Sequence, residues 1–176
     1  GLSVGELCAA IVTMSDNGAA NLLLAEHGGP DALTAWLRTT GDTITRLDRI
    51  EPFMNASAPG DPRDTTTPRA MLGSLQRLLL GNVLSPESRR QLLDWLLANK
   101  TGAARLRAGL PGWRVGDKTG SDGEHTSNDV GIAWPPGGGA PVLVAVYYAN
   151  SPAEAKTRDA VIAEAARIVA GWVQAE

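Results

Sequence analysis

The sequence predicts an α+β fold: a helical region interrupted by one long Ω-type loop, then an antiparallel sheet covered on one face by a C-terminal helix. Three observations predict it. Apolar residues recur at helical spacing through most of residues 1–110, with turn residues between the runs. Residues 45–67 lose that period. After residue 111 the apolar runs shorten, separated by glycine and proline, until one last amphipathic stretch. The chain therefore divides into a helical region, 1–110, and a strand-and-helix region, 111–176.

Taken in order, Ser3 and Glu6 form a capping box, and Leu7, Cys8, Ile11 and Val12 follow at helical spacing, so a helix runs to about Met14. Ser15, Asp16, Asn17 and Gly18 interrupt it. A second helix spans Ala19 to Glu26 and stops at Gly28 and Gly29; Pro30, in a first-turn position, opens a third through Arg38, which Gly41 ends. Thr67 and Pro68 start a leucine-rich helix that Gly81 terminates, and Ser85 and Pro86 start another that reaches Ala98. A short helical piece from Gly102 to Arg107 leads into a strand ending Gly116 to Ser121. Val130 to Trp134 and Val142 to Tyr148 read as an antiparallel hairpin, and Ala153 to Val173 as one helix. On the strand before the hairpin, Lys118 and Gly120 share one face and Thr119 and Ser121 the other, unless Gly120 marks a bulge.

Composition narrows the function. The 176 residues are 43% hydrophobic and 20% charged, ordinary for a globular chain with its own core. A formal charge of -3 without a basic stripe argues against nucleic acid as a partner. No apolar run approaches the length of a membrane span, and the first residues lack the basic flank and apolar block of a secretory signal. Those two points predict a cytosolic chain or one whose front has been removed. Cys8 is the only cysteine, which rules out an internal disulfide and suits a buried apolar helix position. His27 and His125 have no companions at metal-ligand spacing, so neither a metal nor a cofactor is expected. The run Gly137 to Gly139 is a hairpin turn, since no helix follows to make it a phosphate cradle.

Three clusters carry potential chemistry. Ser15-Asp16-Asn17 lies in a helix-to-helix turn, where these residue types are favoured simply as caps. Glu51-Pro52 with Asn55 lies in the long loop, where a surface glutamate alone means little. Lys118-Thr119-Gly120 ends the strand at the junction of the two regions, a natural place for a cleft. In this order and on these elements, the clusters closely resemble the active-site motifs of class A serine β-lactamases. The resemblance extends to Asn21 and the leucines after it, and to the run from Asp64 to Pro68.

The resemblance implies a role for each residue. Glu51 is the general base that orients a water toward an acyl-enzyme carbonyl, and Asn55 holds that water from the other side. Glu51-Pro52 is a cis peptide in the family, and Arg49 and Asp64 close the loop by an ion pair. Ser15, with its hydroxyl near Lys118, relays a proton to the leaving lactam nitrogen. Asn17 bonds the substrate's acylamide, whereas Asp16 ties its own turn together. Lys118, Thr119 and Ser121 receive the substrate carboxylate, Gly120 lets the ligand approach, and the Ser121 backbone N–H forms half of an oxyanion hole, worth about 3–4 kcal/mol. Many members add an arginine on the following strand; residues 122–128 contain none, and Arg105 matches the alternative location. Asp122 and Glu124 are expected to add negative charge at the edge of the substrate strand.

One family element is missing from the sequence. The nucleophile belongs to a serine-x-x-lysine motif, but the residues three before Lys100, Lys118 and Lys156 are Leu97, Val115 and Ala153. The expectation is therefore a C-terminal portion of a longer fold, with the serine supplied by an N-terminal segment as a partner. Alone, the chain is expected to be unstable and inactive, with a bare sheet edge and an unfilled helical core. Cys8 matches a position that in some members pairs with a cysteine of that segment. The resemblance implies a β-lactam as substrate and a periplasmic or secreted location. Two alternatives stay open: a penicillin-binding DD-peptidase, against which a closed loop bearing Glu51 and Asn55 argues, and a non-catalytic complementing fragment.

Overall fold

The structure, a computed structural model, describes residues 1–174. Its helical region comprises α1 (Val4–Met14), α2 (Asn17–His27), α3 (Gly29–Thr39), α4 (Pro68–Leu79) and α5 (Pro86–Leu97), with a 3-10 turn at Phe53–Asn55 in the long loop. There follow α6 (Leu106–Gly109), strands β1 (Arg114–Ser121), β2 (Ser127–Trp134) and β3 (Val142–Tyr148), and helix α7 (Ala155–Gln174). The sheet is antiparallel in the order β1-β2-β3. Among the described residues, no helix is long and apolar enough to cross a membrane.

Local chemistry accounts for the helix starts. Ser3 and Glu6 exchange the two hydrogen bonds of a capping box. Thr67 and Ser85 accept from Ala70 N at 3.2 Å and Ser88 N at 3.1 Å, with Pro68 and Pro86 in the first turns. Helix α2 begins two residues earlier than its apolar pattern does. Ser15 terminates α1 in the left-handed region (φ 58), and Asp16 caps α2 by accepting from Ala19 N at 2.7 Å. The interruption is therefore only two residues long, and Asn17 is already helical.

The sequence-based boundaries shift most around residues 102–113. Gly102 to Arg105 do not form the expected helix, because tertiary contacts hold them otherwise. A β-carbon at Gly102 would lie 1.6 Å from Asp117 Oδ2, so the backbone there is pressed against a buried carboxylate. Leu106 N, at the true helix start, donates to Asp129 Oδ2 at 3.1 Å. Strand β2 starts at Ser127 rather than Val130. The polar residues Ser127 and Asp129 are wholly buried there, against the apolar pattern a strand usually shows. The register runs unbroken from Arg114↔Trp134 to Ser121↔Ser127, so Gly120 marks no bulge.

Each sheet face has its own core. Toward α6 and α7 lie Leu106, Leu110, Val115, Ala133, Val144, Ile162, Ala166 and Ala170. Toward α4 and α5 lie Leu75, Leu79, Leu96 and Ile132, with Val130, Trp134 and Leu143 packed beside them. The helices α1 and α3 bury no residue at all. Between them and α2 runs an apolar groove of about 640 Å³, lined by Val4, Ile11, Leu24, Leu33, Trp36 and Met54 among others.

Candidate active site

Residues about a hundred positions apart meet where the α1–α2 turn approaches β1. Lys118 Nζ donates to Ser15 Oγ at 2.7 Å and to the carbonyl of Thr119 at 2.7 Å. The left-handed backbone at Ser15, costly for a residue with a β-carbon, is tolerated at the point where the hydroxyl reaches the lysine. Asn17 follows on the exposed first turn of α2, and Asp16 is engaged by its own turn. Burial pushes the Lys118 ammonium below the usual lysine range; the carboxylates of Asp129, Asp117 and Glu51 oppose that shift, while Arg105 adds to it.

The long loop brings in the second pair. Asn55 Nδ2 donates to Glu51 Oε2 at 2.5 Å. By the hydrogen-bonding inventory of the two groups, this leaves Glu51 Oε1 and Asn55 Oδ1 as acceptors. Glu51-Pro52 is cis. Arg49 Nε donates to Asp64 Oδ2 at 2.5 Å, and the same carboxylate accepts from the backbone N–H groups of Asp48 and Arg49 at 2.6 and 3.0 Å. These contacts close the loop at its neck.

Sequence reasoning missed what holds Glu51 in place. Asn21 of α2 donates to the Glu51 carbonyl at 3.0 Å and accepts from the Glu51 N–H at 2.9 Å, clamping that peptide from both sides. The signal was an amide side chain within the apolar run from Ala19 to Ala25. Also missed was Thr101, whose hydroxyl lies 2.5 Å from that of Thr119.

On β1, a β-carbon at Gly120 would meet only Asn128, at 3.8 Å, so the chain's own packing leaves room at that position. Ser121 Oγ donates to the Thr126 carbonyl at 3.0 Å and accepts from Gly123 N at 3.1 Å, which ties it to its turn. Arg105 is 9% exposed. Its Nε donates to Asp159 at 2.7 Å and its Nη1 to the carbonyls of Gly120 and Asn128 at 2.9 and 2.7 Å. It therefore braces the end of β1 from behind.

The expected negative edge at Asp122 takes another form. Its Oδ1 accepts from the N–H groups of Glu124, His125 and Thr126 at 2.9, 2.8 and 2.8 Å, and its Oδ2 accepts from Ser57 Oγ at 2.5 Å. Only Glu124 projects freely, 81% exposed at its side chain. The Asp122 charge is spent inside the turn.

Beneath β1, on the face away from Ser15, lie two fully buried carboxyls. Asp117 is bound by Arg107 at 2.6 Å. Burial, with Asp117 nearby, pushes the Asp129 carboxyl up to about 8. Asp117 Oδ2 and Asp129 Oδ1 are buried without a hydrogen-bond partner, and burial raises the Asp117 carboxyl as well. Among the described residues, no group of three His, Cys, Asp or Glu is disposed to hold a metal ion.

Fold and site together point to one class of protein, and comparison with known proteins identifies it. Residues 1–173 match the model of the beta-lactamase enzyme family. β-Lactamase L2 of Stenotrophomonas maltophilia is 52% identical over 168 residues, which cover 95% of this chain and 55% of that protein. The carbapenem-hydrolyzing β-lactamase KPC of Klebsiella oxytoca is 52% identical over 170 residues, covering 96% and 58%. The solved structure of an ancestral class A β-lactamase, that of the last common ancestor of Gram-negative bacteria, superposes with a TM-score of 0.95 at 62% identity, covering 98% of this chain and 66% of that one. The chain belongs to the beta-lactamase enzyme family, in its class A branch. It spans a little over half the length of the curated relatives it matches.

Proposed function

We propose that these residues form the deacylating and substrate-binding part of a serine hydrolase that opens the β-lactam ring of penicillin- and cephalosporin-type antibiotics. A serine outside these 176 residues attacks the lactam carbonyl and the ring C–N bond breaks; Ser15, backed by the Lys118 ammonium, gives its proton to the leaving nitrogen and takes up, through a base beside the nucleophile, the proton the attacking serine loses. Lys118, Thr119 and the β1 end hold the substrate carboxylate, with Arg105 adding positive charge from behind, and the Ser121 N–H faces the carbonyl oxygen. Asn17 takes the acylamide. A water then donates to Glu51 Oε1 and Asn55 Oδ1, which turns its lone pair toward the ester carbonyl. Glu51 takes the proton as water attacks, and the serine regains its own as the ester C–O bond breaks.

The observation that carries this reading is the Glu51–Asn55 pair, joined at 2.5 Å on a loop clamped by Asn21 and by the Arg49–Asp64 bridge. Such a pinned acceptor pair has little use in an enzyme whose acyl adducts are long-lived. The apolar groove along α1–α3 is the seat we assign to the segment bearing the nucleophile, since Met54 and Leu47 of the Glu51 loop line it. The proposed location is the periplasm or the cell exterior, as for the bacterial relatives.

The test is Glu51→Gln in the protein that joins these residues to the nucleophile serine. One equivalent of penicillin should acylate it, and mass spectrometry should find the adduct persisting while turnover falls by at least a thousandfold. Unchanged turnover would refute the assignment.

A further inference from the structure

Thr101, in the stretch between α5 and α6, makes a contact with β1 to which the proposed reaction assigns no role. Its Oγ1 lies 2.5 Å from Thr119 Oγ1 and 2.9 Å from Asn99 Oδ1. Asn99 is 3% exposed, and its Oδ1 also accepts from the Thr101 N–H at 3.0 Å. The backbone around it is anchored from two directions. The Asn99 carbonyl accepts from Arg107 Nη1 at 3.0 Å, and the Lys100 N–H donates to the Thr13 carbonyl of α1 at 2.9 Å. Thr101 therefore meets Thr119 from a fixed support.

The protons of this cluster can be placed one by one. A backbone N–H only donates, so the Asn99 atom that faces Thr101 is the amide oxygen, and the Thr101 hydroxyl gives its single proton to that oxygen. With that proton placed, the contact between the two hydroxyls has one consistent direction: Thr119 donates and Thr101 accepts. The Thr119 O–H is thus committed to its neighbour. A carboxylate only accepts, so Thr119 can receive one only after this proton turns away from Thr101. Asn99 makes the turn easy, because its Oδ1 keeps the Thr101 N–H when the hydroxyl leaves it.

We propose that Thr101 is a positioning residue, whose hydroxyl reverses the Thr101–Thr119 hydrogen bond when a substrate carboxylate arrives. The proposal rests on the β-lactam reading above, in which that carboxylate comes to Lys118 and Thr119. Thr101 turns its proton from Asn99 Oδ1 to Thr119 Oγ1, and Thr119 turns its own to the carboxylate. Each proton stays on its own oxygen and only the two O–H bonds rotate. The count of hydrogen bonds is unchanged: the neutral Thr101–Asn99 bond is exchanged for a charge-assisted bond from Thr119, which is the stronger of the two. Donation from Thr101 also polarises the Thr119 O–H, and an anionic ligand gains most from that.

The experiment uses the protein that joins these residues to the nucleophile serine, and compares one penicillin with its methyl ester, which lacks the anion. Thr101→Val and Thr101→Ala remove the hydroxyl by two routes, the first keeping the side-chain volume, and Thr101→Ser keeps the hydroxyl. Steady-state kinetics give kcat and kcat/KM; where ester turnover is slow, the rate of serine acylation in mass spectrometry gives the same comparison. Each hydroxyl-free variant should lower kcat/KM for the acid about fivefold, the effect of one hydrogen bond, through KM with kcat held, and should change the ester less than about twofold. Thr101→Ser should match the parent on both. Equal loss on acid and ester, or loss on neither, with the parent active, overturns the role of Thr101 alone. A parent that is acylated by neither compound overturns the β-lactam reading and this role with it.

Discussion

Removing the Asp64 carboxylate is the sharpest test of how the loop holds Glu51. That side chain is 3% exposed and accepts three hydrogen bonds: from Arg49 Nε at 2.5 Å and from the N–H groups of Asp48 and Arg49 at 2.6 and 3.0 Å. Asp64→Ala strands a guanidinium and two amides. Breaking a buried ion pair from one side costs about 3–5 kcal/mol. Arg49 is 19% exposed and keeps a bond to the Ala56 carbonyl at 3.1 Å, so it can turn partly to water and the low end applies. Alanine at φ 55 adds about 1 kcal/mol of backbone strain. The closed loop should lose about 4 kcal/mol, which is roughly a thousandfold in its opening equilibrium. Asp64→Asn keeps one oxygen and tolerates the same φ, so it should lose about half as much free energy. Hydrogen exchange resolved by residue reads this directly: amides from 48 to 56 should accelerate in that order of variants, while β2 and β3 stay protected. Loop exchange unchanged within a factor of two in Asp64→Ala would refute the idea that this carboxylate closes the loop.

Asn21→Ala removes both bonds to the Glu51 peptide, each worth about 1 kcal/mol, and should lengthen the acyl-enzyme lifetime at least tenfold in stopped-flow or mass-spectrometric assays. Lys118→Ala should raise KM and lower kcat together, because in the proposed reaction the ammonium, already bound to Ser15, also receives the substrate carboxylate; in the parent, the alkaline limb of kcat/KM should fall below the ordinary lysine range, as burial dictates. In the protein that joins these residues to the nucleophile serine, Asp129, pushed up to about 8, stays protonated in the native state between about pH 4 and 8, where the unfolded chain has lost that proton. Stability should therefore fall as pH rises from about 4 to 8, by up to about 1.4 kcal/mol per unit, and level off above; Asp129→Asn should flatten the slope of urea midpoint against pH. The 176 residues by themselves should show no cooperative melting transition in calorimetry, since α1 and α3 bury nothing and the groove beside them is open.

The sequence carried the helix starts, because a capping box at Ser3 and Glu6, or Thr67 before Pro68, acts within one turn and needs no distant partner. It also carried the three clusters, whose residue types are rare enough in that order to point to one family. The turn at Ser15 to Asn17 was legible as a break but not in its length, since that depended on Asp16 capping inward.

What tertiary structure alone decided are the contacts whose energy comes from burial. Gly102 lost its helix to the Asp117 carboxylate packed against it, and β2 gained three polar residues because Ser127 and Asp129 find buried partners in Arg158 and Leu106 N. Thr101 and Arg158 looked unremarkable in the chain, and Asn21 belonged to the family pattern without a role; each matters through a group at least 18 positions away. Local propensity is written in neighbouring residues, whereas a buried charge or amide is stable only if the whole fold delivers its partner, and no window of sequence contains both.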